Sequence, residues 1–396
     1  MESIEQQFQG TADFGTTTTV TVARTGDLIN RIWLEITLPD LSAYTITSVG
    51  GGSVSNVAYV NDIGHVLLNT VTFQIGGQKI DRHYSEWYDI WHNLTESDEK
   101  RQGLNQMIGH YDNYNVQSPT TSSSLQRKYY IPLLFYFNRE VSNSLPLVAL
   151  QYHEIQLNIT FRTWNECVKS YPGAILTMLD GNHNAPSFVK AQIYVDYVYL
   201  DTDERRRFAQ TPHEYLVESI QWTGDQNVLA SQSTVKIDLN FSQPVKELIW
   251  VYQSSQDYAI VSNSGNNIMS YSIPNANAAL VSNDVFTSAQ LFFNGHERFA
   301  ARDGSYFRLV QPYQHHTRVP TKNIYVYSFA LHPEEFQPSG SANYSRLDTS
   351  QLALTMNPLL APTSSSSGYS GRIKIYAYSY NILRIASGMG SLSFAS

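Results

Sequence analysis

Apolar and polar residues alternate with a period of two along most of this chain. Between Leu28 and Leu38 the order is Leu-Ile-Asn-Arg-Ile-Trp-Leu-Glu-Ile-Thr-Leu, and Thr16 to Arg24 is a run rich in β-branched residues. Ile193, Val195, Tyr197 and Tyr199 fall on one face of a further segment. Near the end, Ile373, Ile375, Ala377 and Ser379 share a face, with Tyr376, Tyr378 and Tyr380 opposite. Side chains of a strand point alternately to its two faces. Such runs, broken by Gly, Pro, Asn and Ser clusters, therefore predict antiparallel β-sandwiches. Helical spacing is confined to short pieces. Trp87, Ile90, Trp91 and Leu94 stand at i, i+3, i+4 and i+7. Leu104, Met107, Ile108 and Tyr111 repeat the pattern after the acidic Glu96-Ser-Asp-Glu99, which suits a helix N-terminus. The predicted fold class is all-β with short helical insertions.

The strands recur in order. Leu28–Leu34 resembles Val245–Val251, Phe73–Gln78 resembles Leu291–His296, Ile131–Phe137 resembles Tyr325–Leu331, and Ile193–Tyr199 resembles Ile373–Ser379. Each match alone is weak, because strands resemble strands. The preserved order, with a separation that only shrinks, predicts two sandwiches of similar topology in tandem, the second with shorter loops. The boundary is expected at Asp201-Thr-Asp-Glu-Arg-Arg-Arg-Phe208, where one strand ends, charge peaks and a new run starts at Glu214. That gives a first unit of 1–203 and a second of 204–396. The longest turn-rich loops are expected at Ser42–Asn61, Asn113–Gln126, Asn165–Ser187, Ser254–Asn283 and Asn357–Gly371. Those at Ser42–Asn61 and Ser254–Asn283 are expected to be solvated and tolerant of insertion.

Composition narrows the function. With 42% hydrophobic residues in 396, the chain can bury real cores. Charged residues are only 15%, and 27 Tyr outnumber 26 Lys and Arg together, a surface suited to burial against other proteins. The net charge is −8 without a basic tail, so nucleic acid is not an expected partner. The single Cys167 permits neither an intrachain disulfide nor a cysteine metal cage. Met1–Glu5 begins acidic and polar, unlike a signal peptide, and no apolar run is long enough to span a membrane. The sequons at Asn93, Asn158, Asn240 and Asn343 are then read as chance.

No catalytic residue, metal ligand or cofactor site is predicted. There is no phosphate cradle or nucleophile elbow, and Gly388-Met-Gly390 lacks the third glycine of a dinucleotide turn. His315 and His316 are the best metal candidates, yet neighbours on a strand face opposite ways, so both are read as surface or interface histidines. His296 and His332 could join them only through folding. Glu334-Glu335 lies between Pro333 and Pro338 and reads as a rigid turn. Glu204, Arg205, Arg206 and Arg207 are read as an inter-domain hinge whose arginines fork onto carboxylates or carbonyls; a nucleic-acid or lipid-headgroup contact is the alternative. Reversing Arg206 to Glu is expected to damage soluble yield.

Four stretches carry a family resemblance: Glu2–Gly15, Asp201–Gln210, Tyr327–Asp348 (Tyr-Ser-Phe-Ala-Leu-His-Pro-Glu-Glu-Phe-Gln-Pro-Ser-Gly-Ser-Ala-Asn-Tyr-Ser-Arg-Leu-Asp) and Tyr380–Gly390. In content and order they resemble the major capsid proteins of nucleocytoplasmic large DNA viruses, the iridovirus, phycodnavirus and mimivirus-like group. The resemblance implies a double jelly roll of two eight-stranded sandwiches. It implies a non-enzymatic shell protein that forms pseudo-hexagonal homotrimeric capsomers, packed beside neighbouring capsomers into an icosahedral virion. Minor capsid proteins and an underlying internal membrane are the further partners it implies, with assembly in the host cytoplasm. Family members usually carry an N-terminal arm ahead of the first stretch; here Met1 directly precedes Glu2, so that arm's contacts are not expected of these residues. Two other readings stay open. A carbohydrate-binding or carbohydrate-cleaving β-sandwich would use Tyr and Trp to stack sugars, though no carboxylate pair stands out for cleavage. A minor capsid protein would need only one jelly roll, which the duplication opposes.

Overall fold

The computed structural model describes residues 1–48, 56–111, 125–171, 175–180, 182, 184–258, 267–274, 284–362 and 368–394. The first half forms two facing four-stranded antiparallel sheets. One has the order β1 (Glu2–Gln6), β13 (Lys190–Val198), β3 (Leu28–Leu38), β8 (Arg127–Pro132). The other runs β2 (Thr17–Thr21), β10 (Ile155–Phe161), β6 (Leu68–Ile75), β7 (Gln78–Tyr84). A two-residue strand β9 (Leu145–Pro146) adds to β3.

The second half repeats this order. One sheet is β14 (His213–Trp222), β24 (Gly371–Ala386), β17 (Pro244–Ser254), β21 (Tyr325–Ser328). The other is β16 (Thr234–Asp238), β23 (Ser350–Met356), β18 (Phe286–Phe293), β19 (His296–Glu297). Short strands β15 (Gln226–Val228), β20 (Arg302–Asp303), β22 (Ala342–Asn343) and β25 (Met389–Leu392) attach at the margins. Taken in chain order, the eight strands of one sandwich correspond to the eight of the other, which is a double jelly roll. All four sequence repeats fall on corresponding strands. The β6–β7 and β18–β19 turns even share a conformation: Gly76-Gly77 has φ 57° and 81°, Asn294-Gly295 has 50° and 79°. Two positive φ values in a two-residue hairpin demand Gly or Asn, and that matches the twist of the strands.

Alternation builds the cores. Ile193, Val195 and Tyr197 are fully buried in the first core, while Tyr199 lies past the strand end and is 44% exposed. Ile373, Ile375 and Ala377 face the second core with Leu248, Trp250 and Tyr252. The opposite faces of the same two strands, Ile249, Val251, Tyr376 and Tyr378, are buried too, against Trp87, Ile90, Trp91 and Leu94. These four belong to α2 (Ser85–Thr95), inserted after β7 and preceded by a short α1 (Ile63–Leu67). α3 (Asp98–Ile108) follows, starting at the predicted acidic segment. A sheet covered on both faces needs near-continuous apolar strands, as Val245–Tyr252 supplies.

Two expected loops are not plain loops. β4 (Thr45–Ser48) pairs with β12 (Ile175–Leu179), and β5 (Asn56–Tyr59) with β11 (Val168–Tyr171). Thus the described parts of Ser42–Asn61 and Asn165–Ser187 pair with each other, and Ala58, Tyr59 and Val60 are buried. Within Ser254–Asn283, Ile268, Met269, Tyr271 and Ile273 are buried. The reading of solvated loops therefore fails where they are described, because their scattered apolar residues pack. Residues 49–55, 259–266 and 275–283 lie outside the described residues, as does most of Asn113–Gln126.

Candidate functional site: the interface between the sandwiches

The two sandwiches meet through α2, and the contact is ionic as well as apolar. Glu86 on the first turn of α2 is 1% exposed. Its Oε1 accepts from Lys374 Nζ at 2.9 Å and lies 3.4 Å from an Arg162 amino group and 3.9 Å from Arg372. Burial alone would raise the Glu86 carboxyl; Lys374 and Arg162 override it and hold the acid below the usual range. Lys374 and Arg372 stand on the outer face of β24, one alternation from Tyr376, so they point at α2.

A second cluster centres on Glu218 of β14. Arg139 approaches it at 2.5 Å, Tyr378 Oη donates at 2.6 Å, and the fully buried Lys246 completes it. Burial raises this carboxyl, but Arg139 and Lys246 bring it below the usual range. The Arg139 guanidinium also lies 5.0 Å from the Trp91 ring. In a third cluster Lys322 bridges Asp89 at 2.7 Å and Asp62 at 3.2 Å, with His110 Nδ1 2.7 Å from Asp62. Each cluster joins residues of both halves. Buried ion pairs fix register and orientation more than they add net stability, since losing one partner strands a desolvated charge.

His316 was read as a surface or interface histidine; its side chain is in fact wholly buried within the second half. It follows α5 (Gln311–His315) rather than sitting on a strand. Nε2 meets Glu247 at 2.9 Å and Nδ1 meets Glu334 at 2.8 Å. Burial would lower its pKa, but the Glu247 charge and hydrogen bonds to Glu247 and Glu334 raise it to about 9. Glu334 also accepts from Thr317, which fixes the turn that Pro333 and Pro338 announced. His315 instead donates to the Leu331 carbonyl, and His296 and His332 are exposed. Among the described residues no group of three or more His, Cys, Asp or Glu is placed to hold a metal ion.

Glu204, Arg205, Arg206 and Arg207 lie on α4 (Thr202–Gln210), which buries none of its residues. Arg205 forks onto Asp27, Nε to Oδ1 at 2.8 Å and the amino group to Oδ2 at 2.9 Å. Asp27 Oδ2 also accepts from the Leu200 amide. Arg205 and Arg206 are both exposed, but Arg205 is the one held by a carboxylate, so the expected damage from reversal moves to Arg205. Cys167 is buried, and burial raises its thiol pKa. Asn93 is buried and bonded to Asp89, while the sequons at Asn240 and Asn343 are exposed. Trp87, Trp91 and Trp250 are buried and Trp33, Trp164 and Trp222 half-buried, so the aromatic rings open to solvent are tyrosines such as Tyr152 and Tyr313.

Two tandem jelly rolls locked by an inserted helix define a double-jelly-roll capsid protein, and the comparisons agree. The family described as major capsid protein N-terminus matches residues 1–201, and that described as large eukaryotic DNA virus major capsid protein matches residues 204–391. The major capsid protein of Pyramimonas orientalis virus is 39% identical, covering 100% of this chain and 90% of its own. That of Phaeocystis pouchetii virus is 36% identical, covering 100% and 92%. A chain of the PBCV-1 virus capsid superimposes with a TM-score of 0.79 at 32% identity, covering 100% of this chain and 96% of that one. The Faustovirus major capsid protein, at 13% identity, shares the fold with a TM-score of 0.76. This chain belongs to the major capsid proteins of large eukaryotic DNA viruses.

Proposed function

We propose that three copies of this chain form a pseudo-hexagonal capsomer that tiles the shell without catalysing any reaction. The observation that carries this is the repeated strand order of the two sandwiches, together with the ionic interface that sets their mutual orientation. Three chains then present six similar sandwiches around one axis, an outline that packs in a plane. Cyclic closure leaves no open ends within the capsomer, and an obligate interface of this kind buries upwards of roughly 2,000 Å².

The chain divides into units of 1–203 and 204–396, with Glu204–Arg207 of α4 as the hinge and Arg205 as its working contact. Minor capsid proteins and an underlying membrane are the partners below the shell, assembly is in the host cytoplasm, and nucleic acid is not touched directly. The net charge of −8 on each chain supports that last point. Native mass spectrometry or light scattering tests the capsomer: three copies of 44.8 kDa give about 134 kDa, stable on dilution to micromolar. A monodisperse 44.8 kDa species under native conditions would overturn it.

A further inference from the structure

A pair of histidines beneath the third ionic cluster has no part in the lock as described. His65 of α1 and His92 of α2 are 1% and 5% exposed. Their rings stack at 4.9 Å with 13° between planes, and His92 Nδ1 lies 3.0 Å from His65 Nε2. A nitrogen–nitrogen contact of that length holds one shared proton, so the two rings cannot both become imidazolium and stay in place. His65 Nδ1 is buried without a hydrogen-bond partner, so a proton added there has no acceptor.

We propose that the His65–His92 pair is an acid-sensitive latch on the junction of the two sandwiches, whose protonation drives α1 and α2 away from Lys322.

The surroundings give the sign. Facing the pair are Asp62 just before α1, Tyr88 and Asp89 from α2, Arg101 from α3, His110 just after it, and Lys322 from the second sandwich. Asp62 already answers both Lys322 and His110. β7 adds Asp81 and His83, which pair with each other at 2.9 Å. Of the other elements packed on α1, β8 carries Arg127 and Lys128, the turn Trp164–Cys167 carries Glu166, and β6 carries no titratable group. Protons have a route, because His92 also lines a surface cavity of about 610 Å³ whose charged groups are Arg31, Glu96, Glu99, Lys100, Arg139 and Glu334.

Burial depresses His65 to about 4, though Asp62 opposes it, and burial together with His65 holds His92 well below its usual value. Both imidazoles therefore take up protons more readily when released. Stability is full above the free value of 6.5 and declines as pH falls below it, levelling off only below the folded values. Asp89 acts the other way, since burial and Asp62 raise its carboxyl. His110 is raised, by the Asp62 hydrogen bond against burial, so it is charged in both states below 6.5 and drops out. Two imidazoles thus work against one carboxyl.

The test uses the full-length native protein. Hydrogen exchange at histidine C2, read by mass spectrometry, gives a titration midpoint for each ring. Emission from Trp87 and Trp91, which sit in the junction, follows opening as pH falls from 7 to 4. His65 alone should shift the opening equilibrium by roughly fortyfold between pH 6.5 and 4.5, with His92 adding in the same direction. The expected result is depressed midpoints for His65 and His92 and an emission change below pH 6 that is reversed on neutralisation. His65→Asn with His92→Asn keeps a neutral polar pair and should abolish that change. If the variant does not fold, the wild-type midpoints decide. Ordinary midpoints near 6.5 at both rings, or an unaltered acid transition in a folded variant, would overturn the proposal.

Discussion

Glu86 and Lys374 meet at 2.9 Å across 288 residues of sequence, the acid on a helix inserted in the first sandwich and the base on a strand of the second. Neither is exposed by more than 6%. Glu86→Gln keeps the shape but leaves Lys374 and Arg162 without their shared anion. A loss of roughly 3–5 kcal/mol is expected, as for a buried pair deprived of one partner. The exposed pair Arg384–Glu214, at 3.6 Å with side chains more than 60% accessible, is the internal control. Its removal should change stability by less than about 1 kcal/mol. Denaturant midpoints of the two variants measure the contrast; equal losses would mean that Glu86 is not desolvated as described.

The hinge prediction separates two adjacent arginines. Arg205→Glu sets a carboxylate against Asp27 and breaks the fork, so soluble yield and melting temperature should fall. Arg206→Glu, next to it on the same exposed helix but outside the fork onto Asp27, should leave both near the parent values. A thermal scan of the two purified variants ranks them, and the reverse ranking would remove α4 from the contact between the halves.

The strands were legible in the sequence because a half-buried strand writes its burial as alternation. Leu28–Leu38 is a strand over the predicted residues, and α2 has its four apolar anchors at the predicted spacing. The repeat was legible because the order of strands survives when individual residues do not. The ionic lock was not, since the spacing of Glu86 says nothing of a base 288 residues away. One signal did exist. Lys246-Glu247 interrupts the apolar run Val245–Tyr252, and Lys374 interrupts Ile373–Ala377. Charges inside strands that are buried on both faces must have partners. His316 was misread for a related reason: its two carboxylates, Glu247 and Glu334, come from separate elements that only the fold brings together.

Gly304 probes the second core's edge. A Cβ at this position would lie 1.9 Å from the Phe286 carbonyl oxygen, a backbone atom of β18 that cannot swing aside. Gly304→Ala should therefore cost more than the usual point substitution, on the order of 3 kcal/mol or above. Gly103→Ala, on α3 with open space around it, should be neutral or slightly stabilising by helix propensity. Paired melting curves check the difference.

His316 gives the protein an alkaline limit distinct from any acid effect. The folded pKa of about 9 lies above the free value of 6.5. The folded state therefore binds a proton that the unfolded chain has lost in this window. The stabilisation is fully present below pH 6.5 and is lost as pH rises through 9. A shift of this size corresponds to roughly 3 kcal/mol. His316→Gln should be less stable than the parent at pH 6, because Glu247 stays buried with its cation gone. It should also show a flatter dependence between pH 6.5 and 9, so the two stability curves converge at the alkaline end. Denaturant unfolding at pH 6, 7.5 and 9.5 gives the comparison directly. Parallel curves, with the same gap at every pH, would show that His316 does not carry the extra proton.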